Sequence, residues 1–220
     1  MEFTVWEGYY KQILKDFDFS RRWDEVAAVV LVEQLSRKRE TIIEERMLAR
    51  LIEGKDVRVI ADSDVELKPA HIAKGMRIAA DGATSKLKQM GVVPELVVTD
   101  LDGDVQDQVD ANFSGALCMI HAHGDNIEEL RTWTQRFSGR LAGTTQARPF
   151  GLVYNFGGFT DGDRAALLAR HFKARTITLV GFDFDNPKQK EGKDPEMKKR
   201  KLAWAKRLIE ENVPDAKWVP

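Results

Sequence analysis

One cysteine in 220 residues, Cys118, has no partner within the chain, so an intramolecular disulfide is excluded and a reducing compartment fits. It stands in the apolar run "GALCMI" and reads as a small core residue. No apolar stretch approaches the roughly 20 residues a membrane span requires. The N-terminal "MEFTVWEGYYKQILKDFDF" carries acids and lacks a long apolar core, unlike a secretory signal, so the expected location is the cytoplasm. An excess of one charge is also missing. Against 34 basic residues stand 35 acidic ones, net −1, which argues against bulk binding of nucleic acid. There is no internal repeat and no low-complexity segment. The four histidines, His71, His121, His123 and His171, are too few for a two-zinc hydrolase, although "HAHGDN" approaches that signature.

What is present describes a globular chain, 43% hydrophobic and 31% charged, able to bury a core without metal or disulfide staples. To about Glu53 the pattern is helical. Ile42, Ile43, Met47, Leu48 and Leu51 recur at helical spacing and Gly54 supplies a stop. From Val57 short β-rich runs alternate with amphipathic stretches. The runs are "VRVIA", "MRIAA", "LVVT", "ALCMIH", "GLVYN" and "TITLVG", with "RLAG" a further candidate strand. Helices are expected at Val65–Lys74, Thr84–Met90, Asn126–Phe137 and Asp163–Phe172, and "DPEMKKRKLAWAKRLIEEN" reads as a final helix. Unalternated apolar strands separated by helices predict an open, mostly parallel α/β sheet covered on both faces, residues 55–220, after an N-terminal helical region, 1–54.

The predicted strands end in polar or small residues: Asp81-Gly82, Thr99-Asp100, His121 to His123, Asn155 and Gly181 to Asp183. In open parallel sheets ligands sit beyond the carboxyl ends of the strands, so these ends should converge on one crevice. In "AADGAT", Asp81 is placed to accept from a ribose or base, and the helix starting near Thr84 to hold phosphate. The alternative is a plain Asp-Gly turn and cap. In "VVTDLDGD", Asp100 and Asp102 project to one side of an extended segment and invite a divalent cation such as Mg²⁺. An EF-hand is excluded by the early glycine and the missing terminal glutamate. Asp104 reads as a cap for the next helix, and Asp125 or Asn126 as a cap for the one after "HAHGDN". "NFGGFTDGDRA" offers Gly157 and Gly158 for close approach, with Thr160, Asp161 and Asp163 as polar contacts. Neither the P-loop nor the dinucleotide fingerprint occurs. "GTTQ" and "VGFDFDN" supply Thr145, Gln146 and Asp183. The lysine-rich "PKQKEGKDPEMKKRK" reads as a solvated loop and helix face, the functional alternative being Lys190, Lys193 or Lys198 over a triphosphate.

"ADGATSKLKQMGVVPELVVTDLDGD" resembles the nucleotide-binding half of thiamin diphosphokinases. With "HAHGDNIEEL", "NFGGFTDGDRA" and "LVGFDFDN" it resembles more closely the archaeal 6-hydroxymethyl-7,8-dihydropterin diphosphokinase family, from about Val57 to Asn186. The resemblance implies a Rossmann-like domain that transfers diphosphate from ATP to the hydroxymethyl group of the dihydropterin, releasing AMP, in folate- or methanopterin-type pterin biosynthesis. It implies small-molecule partners, ATP and the pterin, with neither nucleic acid nor membrane, and leaves a homodimer open. One departure is "ADSDVEL" after the first core strand, where relatives carry glycine; there Asp62 and Ser63 would have to act by side chain. On this reading Asp100, Asp102 and Asp125 are the catalytic and Mg²⁺-holding candidates. Asp81, Gly82, Ala83, Thr84, Thr99 and Asn126 are the nucleotide-binding ones. Thr145, Gln146, Asn155, Gly157, Thr160, Asp161 and Asp183 are the substrate-binding ones. An amide or carboxylate suits the adjacent donors and acceptors of a pterin.

Three rivals remain. "VVTDLDGDV" nearly fits the haloacid-dehalogenase phosphatase motif, with Asp100 as nucleophile, but Asp104 replaces its threonine and two strand units precede it. A thiamin diphosphokinase would carry a β-rich C-terminal domain, whereas this chain is expected to end in helix. A non-enzymatic nucleotide sensor would bind ATP without forming AMP.

Overall fold

In the computed structural model, which describes residues 1–186, 188 and 194–219, the chain opens with α1 (Phe3–Phe17), α2 (Arg21–Ser36) and the shorter α3 (Glu45–Ile52). Trp6, Tyr10, Ile13 and Phe17 recur every three or four residues and form one buried stripe of α1. Eight strands then build one sheet: β1 (Asp56–Ile60), β2 (Met76–Ala80), β3 (Leu96–Thr99), β4 (Leu117–Ala122), β5 (Leu141–Thr145), β6 (Val153–Tyr154), β7 (Thr176–Val180) and β8 (Lys217–Val219). Their order is β6-β5-β4-β3-β2-β1-β7-β8, and every pairing among the described residues is parallel.

Every residue of β3, β4 and β5 is buried, which is why these strands read as continuous apolar runs. Successive side chains enter opposite cores. Val59, Ile78, Val98 and Met119 pack with α1, α8 (Asp161–His171) and α9 (Pro195–Asn212). Ile60, Ala79, Val97 and Ile120 pack with α2, α5 (Ala83–Gln89), α6 (Val105–Phe113) and α7 (Ile127–Trp133). So α1 and α2 lie on opposite faces of the sheet. Cys118 is fully buried in the second core, and burial pushes its thiol up.

The order of connections positions the crevice. From β1 to β6 each strand is added beside the last; the chain then returns, lays α8 over β1 to β3, and adds β7 to the other edge of β1. At such a reversal the carboxyl ends of the strands open a crevice.

Four local expectations are corrected. The helix expected at Val65–Lys74 is only α4 (Pro69–Ile72), because Pro69 forces Lys68 into extended backbone, φ −93° and ψ 147°. The helix expected at Asn126–Phe137 stops at Trp133 and closes in a 3₁₀ turn, Thr134–Arg136. The helix expected from Asp163 begins at Asp161, since Thr160 caps it and Asp163 is the return partner of a capping box. After the final helix the chain adds β8 against β7. Asp104 does cap α6, accepting from the Asp107 N–H at 3.4 Å. Lys190 and Lys193 lie outside the described residues. Among the described residues no helix is long and apolar enough to cross a membrane.

Candidate active site

Three carboxylates meet where β2, β3 and α8 come together. Asp81 follows β2 in the left-handed region, φ 45°, which Asp tolerates better than most residues. That turn buries its carboxylate, whose Oδ1 accepts from Thr99 Oγ1 at 3.0 Å and Gln108 Nε2 at 2.9 Å. Gly103 must lack a side chain here, because a Cβ would lie 2.6 Å from Asp81 Oδ2. Asp100 follows β3. Its Oδ1 accepts from the Asp102 N–H at 3.2 Å, and His123 Nε2 lies 3.4 Å from its Oδ2. Asp161 opens α8, and its Oδ1 accepts from Arg164 Nη1 at 2.7 Å. One oxygen of each carboxylate lies within 4.8 Å of the others.

The electrostatics follow from this crowding. Burial raises the Asp100 carboxyl, but the hydrogen bond and charge of His123, aided by Arg164, outweigh it and hold the group well below the usual carboxylate range. Asp161 goes the other way. Burial first, then the charge of Asp100 and of Asp81, push it well above that range against the pull of Arg164.

Two clefts border the cluster. The first lies over the tips of β1, β2, β3 and β7. Asp81, Asp100, Asp102 and Asp161 line one side, Phe182 and Phe184 form an aromatic wall, and Met197, Lys198 and Leu202 of α9 close the top. The second lies toward β4 and β5, between the α1–α2 turn and the loop after β4, and holds Phe19, Trp23, His123, Asp125, Gln146 and Arg164. Asp100, Phe159 and Lys201 border both.

Of the residues singled out in the sequence, Asp81, Asp100, Asp102, Thr160, Asp161 and Asp183 face the first cleft, and Asp100, Asp125 and Gln146 the second. Gly82, Ala83, Thr84, Thr99, Asn126, Thr145, Asn155 and Gly157 line neither of the two. Several of these hold the frame. Thr99 is fully buried and orients Asp81. Asn126 stands at the N-cap of α7, yet its side chain does not cap. Its Nδ2 donates to Asp100 O at 2.7 Å and His121 O at 2.8 Å, and its Oδ1 accepts from the His123 N–H, strapping the tips of β3 and β4 together. Asn155 Nδ2 donates to Ala147 O, and its Oδ1 accepts from the Gly157 N–H. Asp183 Oδ1 accepts the N–H groups of Asp185 and Asn186, shaping its own turn. At the turn without glycine, Ser63 Oγ donates to Gly181 O at 2.6 Å and Lys188 Nζ to Asp62 Oδ1 at 2.6 Å.

His121 is buried with Nδ1 at 3.0 Å from Thr144 Oγ1, and burial lowers its pKa well below the ordinary value. The group of carboxylates includes neither His121 nor His123. Sequence reasoning missed Arg164, Phe159, Phe182, Phe184, Lys201 and the α1–α2 turn. The aromatic pair of "GFDF", directly after a strand, was the one available signal.

The sequence model of the family described as "6-hydroxymethylpterin diphosphokinase MptE-like" matches residues 67–189. Three curated proteins named 6-hydroxymethyl-7,8-dihydropterin pyrophosphokinase are similar over nearly their whole length. That of Pyrococcus furiosus is 40% identical over 220 residues, 96% of this chain and 94% of the relative. That of Methanothermobacter thermautotrophicus is 36% identical, covering 96% and 94%. That of Methanocaldococcus jannaschii is 34% identical, covering 95% of each.

Proposed function

The chain belongs to the 6-hydroxymethylpterin diphosphokinase MptE-like family and is a diphosphotransferase, and from that premise we propose that it transfers the terminal diphosphate of ATP to 6-hydroxymethyl-7,8-dihydropterin, giving AMP and the pterin diphosphate. The observation that carries this reading is the Asp81–Asp100–Asp161 cluster at the junction of two clefts, one for each substrate. The reaction belongs to the making of folate- or methanopterin-type pterins.

The cluster fits Mg²⁺. Its donors are three hard carboxylate oxygens within 4.8 Å of one another at the edge of the first cleft. Asp81, Asp100 and Asp161 would hold the ion, with Asp102 beside them in the same cleft. When bound, Mg²⁺ supplies charge neutralisation for the polyphosphate. The chain's own residues do the rest. Phe182, Phe184 and Met197 offer an apolar surface to the base, and Lys188 and Lys198 face the cleft as cations for phosphate oxygens. Asp100 borders both clefts, so the hydroxymethyl oxygen and the β-phosphorus come together beside it. Transfer then rests on positioning, with the oxygen attacking the β-phosphorus in line with departing AMP.

Mass spectrometry of products tests the reading. From ATP, Mg²⁺ and 6-hydroxymethyl-7,8-dihydropterin the protein forms AMP and pterin diphosphate in equal amounts, and excess chelator stops both. Absence of AMP refutes the proposal. An acid-labile aspartyl phosphate at Asp100 would instead restore the phosphatase reading.

A further inference from the structure

We propose that the second cleft is the pterin site and that Trp23, at the start of α2, is the surface on which the pterin ring stacks. This rests on the reaction proposed above, in which ATP takes the first cleft, and adds which residues of the second bind and select the acceptor.

The two clefts differ in chemistry. The first combines the acidic cluster with Lys188 and Lys198 and suits a triphosphate with its metal. Both clefts have aromatic walls, but the second meets the acidic cluster only at Asp100 and carries an exposed indole. Phe19 and Phe159 lie 6.4 Å apart at its wall, and Trp23 stands at its rim with 57% of its surface exposed. A large indole exposed on a concave surface suits a flat heterocycle.

The cleft is built, not incidental. The neighbour of Trp23, Asp24, is buried and accepts three hydrogen bonds: from Tyr10 Oη at 2.5 Å, Gln146 Nε2 at 2.9 Å and the Gly124 N–H at 2.8 Å. These bonds pin the start of α2 to the segments that follow β4 and β5. Gly124 also lets the start of α2 come close, since a Cβ there would lie 2.8 Å from Trp23 Cβ. The Gln146 amide donates from its nitrogen to Asp24 and also hydrogen-bonds His121, and its carbonyl oxygen has a second lone pair to offer as an acceptor. Asp125, exposed in the same cleft, is a second acceptor. Two acceptors suit the neighbouring N–H donors of a pterin's pyrimidine ring. Asp100 stands where this cleft meets the first, at the place the hydroxymethyl group must reach.

Steady-state kinetics with each substrate varied, together with calorimetric binding of 6-hydroxymethylpterin, test the assignment in three variants whose thermal melts are checked against the parent. Trp23→Ala raises the KM for the pterin about 10-fold, the loss of one stacking surface, and leaves that for ATP within about 2-fold. Gly124→Ala reproduces the same split by pushing Trp23, with the start of α2, away from the cleft. Phe184→Ala, in the first cleft, raises the KM for ATP instead. Parent-like pterin KM and pterin binding in both Trp23→Ala and Gly124→Ala, in an active enzyme, overturn the cleft assignment and leave the reaction standing. If the parent forms no AMP, the reaction falls, and calorimetry decides the cleft: pterin binding that is lost in Trp23→Ala upholds it, and no binding to the parent overturns it.

Discussion

Asp81 satisfies two demands that few residues meet together. Its backbone adopts φ 45°, and its carboxylate accepts from Thr99 and Gln108 while facing Asp100 and Asp161. Asparagine is the other side chain that tolerates this backbone region and still offers an oxygen to both donors. Asp81→Asn should therefore keep the turn, with a change in unfolding free energy of about 1 kcal/mol, the centre of the range for single substitutions. Removing one of three anionic ligands should lower turnover at least about 100-fold, close to 3 kcal/mol of transition-state stabilisation. Thermal melts and steady-state rates on the same preparation separate the two effects, and near-parental turnover would remove Asp81 from the metal group. Asp81 and Asp100 were legible as acids at strand tips. Asp161 was read as a substrate-binding candidate near a helix start and not as a partner of Asp81 and Asp100, because the sequence does not say that the connection after β6 crosses the sheet edge and brings α8 over β2 and β3.

That connection turns on Gly158. Its φ is 102°, and a Cβ would stand 2.4 Å from the Arg164 Cα, a backbone atom of α8 that cannot swing aside. Gly158→Ala should cost about 3 kcal/mol, combining left-handed strain of about 1–2 kcal/mol with overpacking of about 1–3 kcal/mol. In a chain of this size that lowers Tm by roughly 6–12 °C. Gly157→Ala is the control. It also has positive φ, 83°, but its Cβ would meet the flexible end of Met1 at 3.0 Å, so its Tm should fall less. Equal melts for the two variants would show that the approach of α8 is not what fixes Gly158. At this scale the strands and most helices were readable because buried runs and amphipathic periods are local signals. The misread boundaries have local causes too: Pro69 in the first turn of α4, and the reciprocal cap between Thr160 and Asp163. β8 was missed because three residues of edge strand, two of them exposed, carry no periodicity of their own.

Across the whole molecule, the N-terminal helices join the site to both faces of the sheet. α1 packs on one face and α2 on the other, so the turn between them passes the carboxyl edge and walls the second cleft. Composition and periodicity marked these helices as packed elements but could not show that they complete a ligand site, since the bonds that tie them to the segments after β4 and β5 span a hundred residues or more. One bond tests that coupling at a distance from the ligand. Trp6 is fully buried, and its Nε1 donates to Gln146 O at 2.8 Å, directly behind the amide that faces Asp24. Trp6→Phe keeps an aromatic ring in the core, removes the donor and leaves a buried carbonyl without it. The expected cost is about 1–3 kcal/mol for the unsatisfied group, with a further contribution from the lost ring volume. If α1 only stabilises the fold, KM for both substrates stays at the parental value below the lowered Tm. If it also sets the second cleft, loosened Gln146 raises KM for the pterin several-fold while KM for ATP holds. Kinetics at a temperature where melts show the variant fully folded distinguish the two, and an unchanged pterin KM there would confine α1 to stability.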